Sequence, residues 1–439
     1  MDVQISNQSK ESASVLVLSL ILAVILGITL GSYLALVRTQ TVLGAESQAW
    51  NSALTLAESG IEEGMSQINI SYGAVLTPTN YLDSIRANWG AMADGVFAKS
   101  NVMTSGSYSV TVFPTNPGPI ITATGYTTVP LVGKRVTRIV QITTTPLPTF
   151  GNGMAALLGV TTKGNKLTID SYDSADPAHS TNGMYDASTR KANGDVANVT
   201  GNINVQNANI YGHLKLGPTG TYSLNSGTVG DLNWAGPGIE PGWLANDFNM
   251  EPGDMVAPYN SGLSVPVNKN NATNTYPLTT GNYYVDGDFV MSQNETLNVS
   301  GTVRLYVTGN FNMKSQNACL INILAGGSLQ LFVGTANGPE VSTSLTKVNM
   351  SGNAFNFSYF GLPSNTSLIW AGNNQYVGTV YAPEADFTCG GGGNDTYDYQ
   401  GACVVKTISM NGKFNFHYDE NLKRGGPVSG FNVVSWKEL

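Results

Sequence analysis

Residues 12–37, SASVLVLSLILAVILGITLGSYLALV, form an uncharged and mostly apolar run close to the N-terminus of this chain of 439 residues. About 20 residues cross a bilayer as a helix, at a rise of about 1.5 Å per residue, so the run is long enough to span a membrane. A secretory signal peptide has an apolar core of about 7–15 residues that ends at a small-residue cleavage site. The run here is longer and passes straight into a second periodic segment, which predicts a retained anchor surrounded by membrane lipid. Residues 1–11 read as a cytoplasmic or processed leader. Lys10 is offset by Asp2 and Glu11, and Arg38 lies just past the run, so basic residues alone do not orient the span. Composition does: the rest of the chain is rich in Asn, Thr, Ser and Gly, and only 11% of the whole is charged, which predicts an exported bulk. Gly27 and Gly31 form a small-xxx-small pair through which a neighbouring helix can approach.

Beyond Arg38, Ala49, Ala53, Leu56, Ile61 and Met65 recur at roughly helical spacing, and no proline interrupts until Pro78. Residues 38–68 are therefore expected to continue the membrane helix as an amphipathic extension. A helix over 12–68 is about 85 Å long, which makes it a stalk or a subunit-packing surface. The apolar run, together with LAESGIEEGM at 56–65, resembles the N-terminal region of PilX-like type IV pilus accessory proteins, a pilin-like class. Ala57, Glu58, Ser59 and Gly60 match the Ala-Glu-Ala-Gly-type ending of that family's helix. Lys10 and Glu11 stand where the family has its basic residue and processing glycine. The resemblance implies pilin-type helices as assembly partners, and a place in the bacterial inner membrane with the bulk exported, or on the cell surface after assembly.

Residues 69–150 hold the alternating stretches SYSVTVFP, ITATGYTTVP and RVTRIVQITTTP, which read as strands with period-two burial in a small β-rich module, with a helix within 80–98. From 151 to 425 the texture changes to short strand-like runs separated by Gly and Asn. Such runs are the pattern of a β-solenoid, whose coils bury their inward side chains against neighbouring coils, and a jelly roll or sandwich is the structural rival. Residues 235–285 hold Pro237, Pro241, Pro252, Pro258, Pro266 and Pro277 and read as a loop-rich insertion, and 426–439 as a C-terminal tail. The fold class expected is mainly β, a long N-terminal transmembrane and amphipathic helix followed by a small β-rich module and a β-helix-like solenoid. The segment from Phe357 onward is similar to a solenoid-like domain of uncharacterised bacterial surface proteins. Tyr359, Gly361, Leu362 and Pro363, then Gly378, Tyr381, Ala382 and Pro383, Gly401 with Ala402, and His417 to Glu420 carry the likeness, with LTIDSYDSAD at 167–176 matching the start of that domain.

No cluster reaches a catalytic signature, and no cofactor is expected. His179, His213 and His417 lie far apart and in no metal-ligand spacing. His417, beside Tyr418, Asp419 and Glu420, is the most site-like of them. Asp170, Asp173 and Asp176 recur every third residue and offer hard oxygens to Ca²⁺, while an Asx-turn series accounts for the same spacing. Asp395 and Asp398 form a similar pair in a glycine-rich loop. Cys389 and Cys403 flank that loop, and oxidation would close it with about 3 kcal/mol of chain-entropy stabilisation; Cys319 reads as a buried small hydrophobe. Trp370, Tyr376, Tyr397 and Tyr399 are candidates for a sugar-binding face or for core. A net charge of -8 without a basic stripe excludes nucleic acid as a partner. The expectation is a non-enzymatic surface protein that displays its solenoid to a glycan or protein ligand or within a pilus. The alternative is a β-helix polysaccharide-active enzyme or a carbohydrate-binding module.

Overall fold

The computed structural model describes residues 8–69, 81–89, 95–130, 132–163, 167–270, 273–314, 319–350, 354–370, 374–390, 395–411 and 413–439. The architecture is mainly β with one long N-terminal helix. The chain divides into two compact units, one of residues 1–67, 85–145 and 433–439, the other of 68–84 and 146–432.

In the first unit a single helix, α1 (Gln8–Asn69), runs without a break. Its most apolar 18-residue window has a mean hydropathy of 2.6 and is 0% buried, and among the described residues it is the one helix long and apolar enough to cross a membrane. The leucines, isoleucines and valines from Val15 to Val37 all face outward. Farther along, Ala49, Ala53, Leu56 and Ile61 are buried on one face, and Met65 is partly buried. That face packs on an antiparallel sheet of β1 (Phe97–Met103), β2 (Gly106–Phe113), β3 (Ile120–Thr128) and β4 (Arg135–Pro148), with the strand Val428–Glu438 beside β4. The alternation expected from the sequence sets the inward residues: Tyr108, Val110 and Val112 on β2, Ile121 and Ala123 on β3. Small helix residues let the sheet approach closely. A Cβ on Gly125 of β3 would lie 1.9 Å from the Ala53 carbonyl oxygen, so only glycine fits there. Of the helix expected over 80–98, the described residues form α2 (Tyr81–Trp89), and Phe97 already begins β1. The segment read as a tail instead completes the sheet, with Glu438 paired to Arg138, whose guanidinium lies 3.8 Å from the Trp50 ring centroid.

The second unit is a solenoid of parallel coils, wound in an order that does not follow the chain. It begins with β5 (Met154–Thr162) and β6 (Thr168–Tyr172), and these lie inside the stack rather than at its end. Coils leave β5 in one direction, stacking Met154, Val196, Leu214 and Leu244 in register. The chain then crosses to the far end of the stack and winds back, stacking Tyr283, Leu305, Leu331, Tyr359, Val380 and Cys403 until Cys403 pairs with Met154. One inward row thus runs through both arms, and from Tyr283 to Leu214 all of its members are buried. Parallel strands lie about 4.8 Å apart, and the interior rings keep that spacing. Tyr376, Tyr399 and Phe416 stack with centroids 4.4 and 4.5 Å apart. Outward-facing polar residues repeat along the coils as ladders, such as Asn209 with Thr228 and Asp288 with Asn310.

The region read as an insertion over 235–285 is partly coil. Gly238–Ile239, Leu244–Ala245 and the strands from Asn268 onward pair within the stack. The crossing part is 246–262, which runs along the flank of the coils, and Leu263 then bridges Tyr283 in parallel. Phe248 N donates to Leu216 O in one arm, the Tyr381 hydroxyl donates to Gly253 O near the middle, and Tyr259 reaches Tyr283 O in the other arm.

Candidate functional site

The winding order creates a seam where the last coil meets the first. The strand Phe414–Asp419 lies beside β6, with His417 opposite Asp170, and on its other side Gln400 lies opposite His417. In each strand the alternate residue, Ile169, Phe416 or Tyr399, enters the core. His417, Asp170 and Gln400 point the other way, and they are buried because residues 173–193 fold over them. His417 is 1% exposed and Asp170 0%.

The cover is attached through side chains. The Tyr185 ring stacks on the His417 imidazole at 3.5 Å and 18°. Its hydroxyl donates to Asp170 Oδ2 at 2.8 Å, and its backbone N–H donates to Gln400 Oε1 at 3.2 Å. Arg190 Nη1 stands 3.5 Å from Asp170 Oδ2, with its guanidinium over the Tyr211 ring. His417 Nδ1 lies 2.5 Å from Asp170 Oδ1. Nε2 is 3.2 Å from Asp398 Oδ1, an ion-pair distance without hydrogen-bonding geometry. Burial pulls the His417 pKa down, but Asp170 and Asp398 outweigh it and raise the pKa above the ordinary 6.5. Burial pushes the Asp398 carboxyl up, and His417 and Asn415 more than reverse this.

A second group extends the seam. Asp173 receives Arg424 Nη2 at 2.6 Å on both oxygens. Burial raises its pKa, and Arg424 with the Ala175 N–H brings it below the ordinary carboxylate value. Glu420 accepts hydrogen bonds from Ser171, Lys191 and Asn193. Asp419 takes the N–H groups of Ser174 and Asn421 on Oδ1, while its Oδ2 and the Tyr172 hydroxyl opposite are buried without a hydrogen-bond partner among the described residues. Burial raises the pKa of both groups.

The three aspartates considered for Ca²⁺ diverge. Asp170 faces His417, Asp173 faces Arg424, and Asp176 caps its own turn through the Ala178 N–H. Asp173 and Asp176 each accept the N–H two residues on, which is the Asx-turn geometry. Among the described residues no group of three His, Cys, Asp or Glu side chains is placed to hold a metal ion. His213 pairs with Asp195, and His179 Nδ1 lies 3.0 Å from Thr189 O, both away from His417.

Cys389 and Cys403 are buried and carry no disulfide. Register sets Cys403 opposite Val380 and Cys389 opposite Met410, so each belongs to a different inward row, Cys389 ending the strand that leads into the glycine loop and Cys403 lying within the next strand. Burial raises both thiol pKa values. Cys319 is also buried, its thiol 2.7 Å from Ser292 O. Of the loop's own residues, Gly391 to Asn394 lie outside the described residues. Trp370, Tyr376 and Tyr399 are no more than 1% exposed, which removes them from any sugar-binding face; Tyr397 packs against the same core. Gly27 and Gly31 lie on the exposed part of α1, with nothing within 4 Å of an added Cβ. In the 57–60 motif Ala57 is buried, and a Gly60 Cβ would meet Ala123 Cβ at 2.8 Å. Glu58 is exposed, and Ser59 donates back to Thr55 O.

A groove of about 550 Å³ escaped the sequence reading. Tyr259, Tyr284 and Tyr306 line it together with the corner loops 286–288, 308–309 and 335–339. Its signal in the sequence is the echo of VDGDFVM at 285–291 in VTGNFNM at 307–313, offset by the 22 residues that separate Asp288 from Asn310.

Residues 254–425 match a family described as a domain of unknown function (DUF7305). No curated protein matches the chain. Among solved structures it is similar to the competence-associated pilin ComZ from Thermus thermophilus, at 11% identity and a TM-score of 0.22, over 89% of this chain and 97% of that one. A score that low does not assign a shared fold.

Proposed function

We propose that this protein is a membrane-anchored, pilin-like surface protein that holds a β-solenoid outside the cell, as a pilus accessory or adhesion module. The observation that carries the reading is α1: one uninterrupted helix whose apolar residues from Val15 to Val37 are all exposed, and whose later turns pack on a sheet. Apolar side chains left on the outside of a helix of spanning length fit lipid or the helices of neighbouring subunits. The Ala57–Gly60 motif sits where the helix meets that sheet, in a stretch of α1 whose small residues suit close packing.

The seam supports a structural role. A His–Asp pair has the composition of a general-base dyad, but here Tyr185 covers the imidazole and its second nitrogen faces another carboxylate. The only hydroxyl of Ser171 is given to Glu420. The cluster acts as a clamp that joins the last coil, the first coil and the segment that covers them.

The test is fractionation of the native cells with and without their type IV pilus assembly machinery, then immunoblotting and N-terminal mass spectrometry. Appearance in the sheared surface fraction only when the machinery is present is the expected result, and the N-terminal mass reports any processing near Lys10 and Glu11. An uncleaved protein that stays in the membrane fraction regardless overturns incorporation into a filament and leaves a stand-alone anchored display protein.

A further inference from the structure

We infer that the tyrosine-lined groove at 257–339 is a binding site for a neutral oligosaccharide chain. This deepens the display reading and rests on it, since it names what the exposed solenoid would hold. One wall is the crossing segment 257–260, and the other is the stack of corner loops from three successive coils. Tyr306 is 4% exposed and forms the floor. Tyr259 meets it edge-on at 5.9 Å and 82°, and Tyr284 leans on it at 5.6 Å and 60°. Tyr259 and Tyr284 remain half-buried, so part of each ring lies open.

These rings are held in place before any ligand arrives. The Tyr259 hydroxyl lies 2.8 Å from Tyr283 O and 3.0 Å from Arg304 O, which ties the crossing segment to two coils. The polar groups beside the rings are fixed as well. Thr308 Oγ1 donates to Asp286 Oδ1 and accepts from the Gly287 N–H. Asp288 Oδ1 accepts both the backbone and side-chain N–H of Asn310, whose own Oδ1 accepts from Ser342. Both aspartates are exposed and each is fixed through Oδ1.

An open groove with aromatic faces and rigid hydrogen-bonding groups matches the two-sided chemistry of a sugar ring. Its C–H face rests on an aromatic surface, and its edge hydroxyls donate to carboxylates and exchange hydrogen bonds with hydroxyls and amides. Three coils at a strand spacing of about 4.8 Å extend roughly 10 Å, which accommodates about two linked pyranose rings. The charge selects within this class. Asp286 and Asp288 accept hydrogen bonds from sugar hydroxyls and repel uronic acid or sulfated chains.

The test uses the full-length protein in nanodiscs of phosphatidylethanolamine and phosphatidylglycerol, which carry no sugar headgroup. An array of neutral hexasaccharides, including those of β-linked glucose and N-acetylglucosamine, is screened beside a galacturonic acid hexamer, and hits are measured by calorimetry. At least one neutral chain is expected to bind, and the acidic hexamer is expected not to. Tyr284→Ala is expected to weaken binding at least tenfold. Tyr284 also packs on the core, so Asp286→Asn serves as a second variant that keeps the Thr308 contact, and is expected to weaken binding severalfold with an unchanged melting temperature. Tyr222→Ala, on the other arm of the solenoid, is expected to change nothing. No binding to any neutral chain, selective binding of the acidic hexamer, or binding indifferent to both groove variants overturns the proposal. Membrane fractionation is a separate readout, so a protein that fails to enter pili can still bind sugar, and one that enters pili can fail to.

Discussion

His417→Ala tests whether the seam closes the solenoid. The substitution removes a buried imidazole that sits 2.5 Å from Asp170 and leaves that carboxylate 0% exposed with only the Tyr185 hydroxyl and a guanidinium at 3.5 Å. Breaking a buried pair by deleting one partner costs about 3–5 kcal/mol, and the two surviving partners place this case at the lower end. About 3 kcal/mol corresponds to a roughly hundredfold larger opening equilibrium. Hydrogen exchange read by mass spectrometry is the right assay, because two compact units need not unfold together and a global melt would mix them. Peptides over Thr168–Tyr172 and Phe414–Asp419 are expected to lose protection, while Thr302–Val307, well along one arm, serves as the internal reference. The pH dependence gives a second, independent arm. The folded pKa of His417 is raised above 6.5, so its stabilisation is complete below about 6.5 and is lost as pH rises through the folded value. The lowered Asp398 works in the opposite direction: its contribution is present above 3.8 and is lost as pH falls through its folded value. Seam protection, corrected for intrinsic exchange, is therefore expected to hold up to about pH 6.5 and to fall as pH rises beyond it in the native protein. His417→Gln keeps a donor but no charge, and is expected to lose about 1.5 kcal/mol and to flatten that fall. Seam peptides of the alanine variant exchanging within about threefold of the native protein, a shift below roughly 0.7 kcal/mol, would refute the clamp.

Other substitutions probe the remaining contacts. Leu22→Lys with Ile25→Lys places two charges on the exposed apolar run, at about 2.5–3.5 kcal/mol each in a bilayer centre; the protein is expected to leave the membrane pellet, and retention there would argue against the span. Gly401→Ala puts a Cβ 1.8 Å from the Gly378 carbonyl oxygen in the next coil, at a φ of +142°, and is expected to cost at least about 2 kcal/mol in the exchange of the flanking strands. Cys389 and Cys403 are buried with raised pKa values, so native protein at pH 8 is expected to resist iodoacetamide at both positions and react at both in denaturant. A crosslinked 389–403 peptide would contradict the free-thiol arrangement.

Local periodicity carried part of this structure in plain sight. The helix face at Ala49, Ala53, Leu56 and Ile61 and the alternation in β2 and β3 depend on neighbours a few residues away, and the chain writes them directly. Short runs between Gly and Asn likewise announced coils. The same alternation holds the answer for the aromatic candidates: Tyr399 stands between Asp398 and Gln400, so a strand that turns its acid and amide outward must turn its tyrosine into the core. Trp370 and Tyr376 are buried in the same interior.

The winding order had no such local signature. Every coil satisfies its own periodicity whichever coil lies beside it, so a solenoid that starts at one end and a solenoid that starts in the middle share the same sequence texture. What separates them is the pairing of β5 with the strand Tyr397–Met410 and of β6 with Phe414–Asp419, made by residues such as His417 and Asp170 that are 247 positions apart. That separation also explains why the candidate residues appeared scattered. His417 looked isolated and Asp170 looked like one of an acidic series, and only closure of the last coil on the first gives each its partner. The tyrosine groove has its origin in the same geometry. A chain that starts its coils in the middle must cross from one end of the stack to the other, and the crossing segment carries Tyr259 onto coils where Tyr284 and Tyr306 already stand. The winding order thus accounts for both features that the sequence did not disclose, the buried clamp and the open groove.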